Sequence, residues 1–287
     1  MYKIAITGAS GQLGSAIVRK TADCLGADQV LAVARHPDRA AHLGVKVRPG
    51  DYDDRGEMER AFYGVDEVVL VSPPSAPAQR LKQLIKAIDA AKSAGVKRLI
   101  FSSVIGKTGQ HGFSPIIEVQ REAERYLKRS GLPWTIARNG IYLEPDIETL
   151  DTYIDAGKIS NCAGKGKCAY TSREELAEAY CALVCQSNGM AKTFNLAGPN
   201  TTQAELATCF SEVIGKPIAF EDVSVSSFQR DRVASVGPEL GSVIGGIYAS
   251  IRAGFMEVES DFEEIVGRPH HTIEEIVQSQ MQRPATG

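Results

Sequence analysis

The sequence predicts a doubly wound, parallel α/β sheet with a smaller, mostly helical C-terminal lobe. Three observations predict it. Short β-branched runs alternate with helical stretches through the first half of the chain, a glycine-rich turn follows the first run, and the alternation weakens after Pro145. Runs that are apolar throughout, such as Val68-Val69-Leu70-Val71, suit strands covered on both faces. Alternation of this kind gives right-handed crossovers between parallel strands.

Strands are expected at Lys3–Thr7, Gln29–Ala34, Val45–Arg48, Glu67–Val71, Leu99–Ser102 and Trp134–Ala137. Helical stretches separate most of them, at Gln12–Cys24, Arg55–Phe62, Ala78–Ala94 and Ile117–Ser130. Later helices are expected at Arg173–Gln186, Thr202–Ile214 and Thr272–Met281, with one strand-like segment at Thr193–Leu196. The threonines before Gln203 and the Thr272-x-x-Glu275 spacing both read as helix-capping boxes. Residues Val223 to Phe262 hold serine, glycine and short helical pieces without a strand, and Pro284–Gly287 reads as a frayed tail.

Of 287 residues, 43% are apolar and 23% charged, which is ordinary globular composition. A net charge of −3 leaves no electrostatic footprint for a nucleic-acid partner. The apolar run from Leu240 to Ile251 is shorter than the roughly 18 residues of a membrane span. The chain enters an apolar strand at Lys3, which leaves no room for a signal peptide and makes a cytoplasmic location the expectation. The six cysteines form no C-x-x-C pair and no zinc spacing with histidine, so buried thiols are expected and no metal site.

Gly8-Ala9-Ser10-Gly11-Gln12-Leu13-Gly14 lies between the first strand and the first helix. Gly8 permits the tight turn, Gly11 lets the backbone approach a diphosphate, and Gly14 lets the helix pack close to the strand. Free amides and the positive helix end then hold the anion. This strand–turn–helix context makes residues 1–143 a Rossmann domain binding a dinucleotide, with strand order 3-2-1-4-5-6. Residues 144–287 form the smaller substrate or lid lobe, with segments such as 193–197 able to return to the sheet.

An NAD site offers a carboxylate about 20 residues past the turn, for the ribose hydroxyl. Here Val33-Ala34-Arg35-His36 puts a guanidinium there, which suits a 2′-phosphate; NADPH is the expected coenzyme, with NADH as the alternative. The expected contacts are Thr7, Gly8, Ser10, Gly11, Gln12, Leu13 and Gly14 in the turn and Arg35 after strand two. Asp51 and Tyr52 after strand three should border the adenine, although Asp51 is equally suited to cap a turn. Ser72 after strand four, Ser102 in strand five, and Asn139 and Gly140 after strand six complete the set.

The IAITGASGQLG opening, the VAR, GDY and FSS strand ends and the SGLPWTIARNGIY block together resemble the NmrA-like atypical short-chain dehydrogenase/reductases. Within them the chain looks most like the branch of quinone oxidoreductase type 2 and triphenylmethane reductase. The resemblance is strong to about Tyr142 and looser through GKCAYTSREELAEAY and KTFNLAGPNTTQAEL. It implies hydride transfer from a nicotinamide coenzyme to a small aromatic or quinone acceptor, in a monomer or homodimer.

Ordinary members of the wider superfamily use Tyr-x-x-x-Lys on the helix after strand five, where the phenol protonates a carbonyl oxygen. Those places fall near Ile116 and Gln120, neither of which does acid–base work. A quinone needs no such pair, because its reduced oxygen resembles a phenol of pKa about 10 and water can protonate it. Candidate acceptor contacts are Ser103, Asn139 and Tyr142, with no general acid assigned; Asn139 and Gly140 offer backbone amides. Ser103 is equally suited to cap its strand, and Tyr142 to pack between the lobes. His111 in the GKTGQHGF loop, Glu118, and Val243–Ile251 as a lid are weaker candidates. The alternative to an enzyme is a coenzyme sensor of the NmrA type, which binds without turnover.

Overall fold

A computed structural model describes residues 2–107, 114–186 and 191–282. His111 and the Pro284–Gly287 tail lie outside the described residues. Strand β1 (Tyr2–Ile6) leads into α1 (Gln12–Leu25), and β2 (Val30–Ala34) follows. A stretch of tight helical turns at Pro37–Leu43 precedes β3 (Lys46–Pro49) and α2 (Arg55–Phe62). Next come β4 (Val65–Leu70), α3 (Pro77–Ser93), β5 (Arg98–Val104), α4 (Pro115–Arg129) and β6 (Trp134–Asn139).

These six strands are parallel neighbours in the order 3-2-1-4-5-6. Their side chains alternate between two cores. Ile4, Ile6, Val30 and Val69 meet Leu13, Ile17 and Val18 of α1 on one face. Ala5, Leu31, Val68 and Phe101 meet Phe62, Leu84, Ile88 and Leu127 of α2, α3 and α4 on the other. Burial on both faces is why the strands read as continuous apolar runs. The chain winds outward from β1 and then returns to β4, so a crevice opens beyond the carboxyl ends of these two strands.

Beyond β6 the chain makes β7 (Ile141–Tyr142), α5 (Glu144–Glu148), α6 (Leu150–Ala156), β8 (Lys158–Asn161) and β9 (Lys167–Thr171). Helix α7 (Arg173–Cys185) then packs on α1, and β10 (Lys192–Leu196) joins the sheet as a seventh parallel strand beside β6. Strand β11 (Asn200–Thr202), α8 (Gln203–Ile214), β12 (Ala219–Asp222), α9 (Val225–Val236) and α10 (Pro238–Arg252) follow. The chain ends in α11 (Phe262–Val266) and α12 (Ile273–Met281).

The segment after 143 is therefore shared between two bodies. Leu176, Tyr180 and Leu183 of α7, with Phe262 and Ile265 of α11, belong to the sheet's own core. Leu206, Phe210, Ile251, Met256 and Val277 belong to a third core that holds the smaller lobe together. That lobe is mostly helical, and it carries two small sheets that the sequence does not reveal, β7-β9-β11 and β8-β12. Their strands are two to five residues long, too short for a period to show. Both expected capping boxes are present, at Thr202 with Glu205 and at Thr272 with Glu275. Among the described residues no helix is long and apolar enough to cross a membrane, and no cluster of side chains suits a metal ion. The six cysteines are free thiols, but Cys24 and Cys185 are exposed rather than buried.

Candidate active site

A cavity of about 780 Å³ lies along the carboxyl ends of the strands, from Arg35 past the glycine turn to Tyr142. Its middle is the glycine turn. Gly8 adopts φ +63° and accepts a hydrogen bond from the Gly11 amide at 2.9 Å. A side-chain carbon on Gly14 would stand 2.2 Å from the Gly8 carbonyl oxygen, so the helix begins as close to the turn as backbone allows. Gly11 caps α1 without a side-chain bond, and Gln12, Leu13 and Gly14 line the cavity with first-turn amides that have no intrahelical partner. This concave, donor-rich cradle fits a dinucleotide diphosphate.

At the β2 end, Arg35 and Arg39 are exposed, line the cavity and flank His36. Asp51 lines the cavity, and its Oδ1 also accepts from the Asp53 amide at 2.9 Å, so it does cap a turn. Tyr52 borders the cavity but is chiefly a strut. Its hydroxyl is 2.6 Å from Thr7 Oγ1 and 2.5 Å from the Val71 carbonyl, and burial pushes its phenol well above the usual range. Thr7 departs from the expectation. It is fully buried and off the cavity wall, because its hydroxyl is committed to Tyr52, the Val69 carbonyl and the Val71 amide across the strand pair.

The far end gathers Ser72, Ser102, Asn139 and Tyr142, with Ile116 and Gln120 on the wall. Asn139 is held from three sides: its Nδ2 donates to Ser102 Oγ at 3.1 Å and Tyr142 Oη at 3.3 Å, and its Oδ1 accepts from buried Tyr180 at 2.9 Å. Burial raises the Tyr142 phenol pKa, so at neutral pH this side chain keeps its proton. Gln120 donates to Ser72 at 2.7 Å, while its buried Oε1 has no partner. The Gly140 amide is not available to an acceptor, because it donates to the Leu196 carbonyl at 2.9 Å in pairing with β10.

Ser103 also differs from the expectation. It touches the cavity wall, but its hydroxyl donates to Glu124 Oε1 at 2.7 Å. Arg121 and Arg138 bracket the same carboxylate at 2.7 and 2.6 Å. Burial works to raise the Glu124 pKa, and the hydrogen bonds and charge of these partners outweigh it and lower it. Arg121 reaches on to the carbonyls of Val104 and Gly106 at 2.8 and 2.5 Å, fixing the end of β5 under the cavity. Glu118 is exposed on α4 and is not part of the cavity wall, while Ile247 of α10 is.

Two arginines on the wall are absent from the sequence reading: Arg80 of α3 and Arg173 of α7. Each stands within the first turn of its helix, where the dipole disfavours a cation. That misplacement is the one sequence-level signal that marks them.

A family model described as NAD(P)H-binding matches residues 8–186. Over 282 residues the chain is 30% identical to quinone oxidoreductase 2 of Escherichia coli (strain K12), spanning 96% of this chain and 97% of that protein. The crystal structure of the Escherichia coli NADPH-dependent quinone oxidoreductase complexed with NADPH matches with a TM-score of 0.90 at 28% identity, over 97% of this chain and 100% of that one. The NADP(H) complex of Citrobacter sp. triphenylmethane reductase gives 0.88 at 29% identity, over 96% and 99%.

Proposed function

The chain belongs to the NAD(P)H-binding family and is an NAD(P)H-dependent reductase; from that premise we propose that it uses NADPH to reduce a quinone or similar electron-poor conjugated acceptor. What supports the proposal is that Ile116 and Gln120, at the positions where the resemblance puts the Tyr-Lys pair of ordinary members, line the same cavity as Asn139 and Tyr142. Ketone reduction creates an alkoxide that needs such a donor. Quinone reduction creates a phenoxide-like oxygen that takes its proton from water at pKa about 10.

When bound, the reduced nicotinamide supplies the hydride. The chain's own residues bind and orient. The α1 amides hold the diphosphate, and Arg35, supported by Arg39, holds the 2′-phosphate through paired charge-assisted bonds. Asn139, locked by Tyr180 and Ser102, holds Tyr142 Oη at 3.3 Å, and Tyr142, which keeps its proton, presents a hydroxyl at a fixed position beside the acceptor. Gln120 Oε1 is an unpaired acceptor on the same wall.

The test is the loss of NADPH absorbance in the presence of a simple benzoquinone. Enzyme-dependent loss above the uncatalysed rate supports the reading. Tight NADPH binding without turnover of any quinone or dye would instead make the protein a coenzyme sensor.

A further inference from the structure

Besides Arg35 and Arg39 at the β2 end, the cavity wall carries Arg80 and Arg173, which a 2′-phosphate beyond β2 does not account for. Arg35 follows β2, whereas Tyr142 follows β6. In the order 2-1-4-5-6 these ends are four strand spacings of about 4.8 Å apart, about 19 Å in all. A dinucleotide whose diphosphate sits on α1, beyond β1, places its phosphates at the Arg35 end and in the middle. The Tyr142 end lies beyond them.

At that end, the guanidinium of Arg173 lies 5.5 Å from the centre of the Tyr142 ring. Its charge is partly answered by Glu144 and Glu148, at 4.0 and 3.7 Å. Arg80 is not answered. Its Nε donates to the Ser75 carbonyl at 3.0 Å, and among the described residues no carboxylate comes within ion-pair distance of its guanidinium. It is partly buried and lines the cavity at the start of α3, and at the Tyr142 hydroxyl its charge and that of Arg173 act against the opposing charge of Glu144. A half-desolvated cation facing a cavity without a counter-ion, on a helix end that already repels cations, is costly unless an anion arrives. The planar guanidinium fork suits an oxyanion best.

We propose that Arg80, with Arg173, selects acceptors that carry a fixed oxyanion, seating a carboxylate, sulfonate or phosphate ester beside Tyr142. The proposal rests on the reductase reading and names its substrate class: an electron-poor conjugated ring bearing an acidic substituent away from the atom that takes the hydride. The electron balance is that of any quinone reduction, one hydride from NADPH and one proton from water. The oxyanion itself is unchanged.

The test compares a neutral naphthoquinone with its sulfonated counterpart, both reduced by NADPH, in the wild type, Arg80→Gln, Arg80→Lys and Arg173→Gln. For Arg80→Gln, the ratio of kcat/KM for the sulfonated over the neutral quinone should fall about tenfold or more. Arg80→Lys should retain part of the preference, and the NADPH dissociation constant should stay at its wild-type value. Wild-type binding of naphthalene sulfonate, followed by its own fluorescence with NADP⁺ present, should weaken with salt and with Arg80→Gln. An unchanged ratio overturns the proposal. So does weakened NADPH binding in Arg80→Gln, which would assign Arg80 to the coenzyme. Should no quinone turn over, the reductase reading fails separately, and naphthalene sulfonate binding still decides whether the oxyanion seat exists.

Discussion

The Ser103 hydroxyl donates to Glu124 Oε1 across 2.7 Å, beneath the cavity rather than into it. The same carboxylate holds Arg121 and Arg138, so Ser103 is one of three donors that keep a buried anion satisfied. Ser103→Ala should lower stability by about 1–3 kcal/mol in urea unfolding, with little change in KM for a quinone. Glu124→Ala leaves two guanidinium groups without their carboxylate and should cost about 3–5 kcal/mol. A Ser103→Ala variant with native stability but abolished turnover would place the hydroxyl in the chemistry instead.

Gly14→Ala reverses the usual rule for helices. Alanine in place of glycine normally stabilises a helix interior by about 1 kcal/mol. Here the added carbon would stand 2.2 Å from the Gly8 carbonyl oxygen, so the turn must open. Lower thermal stability and NADPH affinity weakened about tenfold or more are expected by fluorescence titration, since misplaced amides no longer converge on a diphosphate.

Arg35→Glu separates the two coenzymes. A carboxylate there repels a 2′-phosphate and accepts a ribose hydroxyl. NADPH affinity should fall about a hundredfold, while NADH affinity holds or improves. Equal losses for both would remove Arg35 from the phosphate site.

Tyr142→Phe tests whether a proton leaves the protein during turnover. The phenol is buried and its pKa is raised, so it retains its proton through the neutral range. With water as proton source, Tyr142→Phe should lose less than about tenfold in kcat, and the wild-type rate should be flat from about pH 6 to 9. A loss of about a thousandfold would make Tyr142 a general acid.

The acid limb of stability should report Glu175. Burial alone would raise its carboxyl, but bonds from Arg268 and from the His271 amide and ring hold it at about 2, below its ordinary value of 4.5. A lowered folded-state pKa contributes stability that is complete above the ordinary value and disappears as pH falls from 4.5 toward 2. The difference between wild type and Glu175→Gln in urea unfolding should therefore be largest near neutral pH and shrink across that interval. The contact ties the segment before α12 to α7 on the sheet domain.

What was legible and what was not divides along the range of the interactions. The glycine turn, the guanidinium after β2, the alternating strands and both capping boxes are local patterns. Each is set by residues a few positions apart, through backbone geometry or helix-end hydrogen bonding. Thr7, Ser103 and Gly140 read as site residues because their positions along the chain are right. Their donors and acceptors are used up by Val69, Glu124 and Leu196, which no local pattern ties to them.

By itself, then, the amino-acid order determined a parallel sheet and a glycine turn between its first strand and first helix, with a guanidinium after β2. Only the tertiary structure decided that α7 packs back on the sheet's core ahead of β10, that Asn139 is locked by Tyr180, and that Arg80 and Arg173 line the same cavity as Tyr142. The reason is physical. Period and turn chemistry act over one or two turns of chain, whereas the partner of a buried polar group is chosen by how whole helices and strands pack.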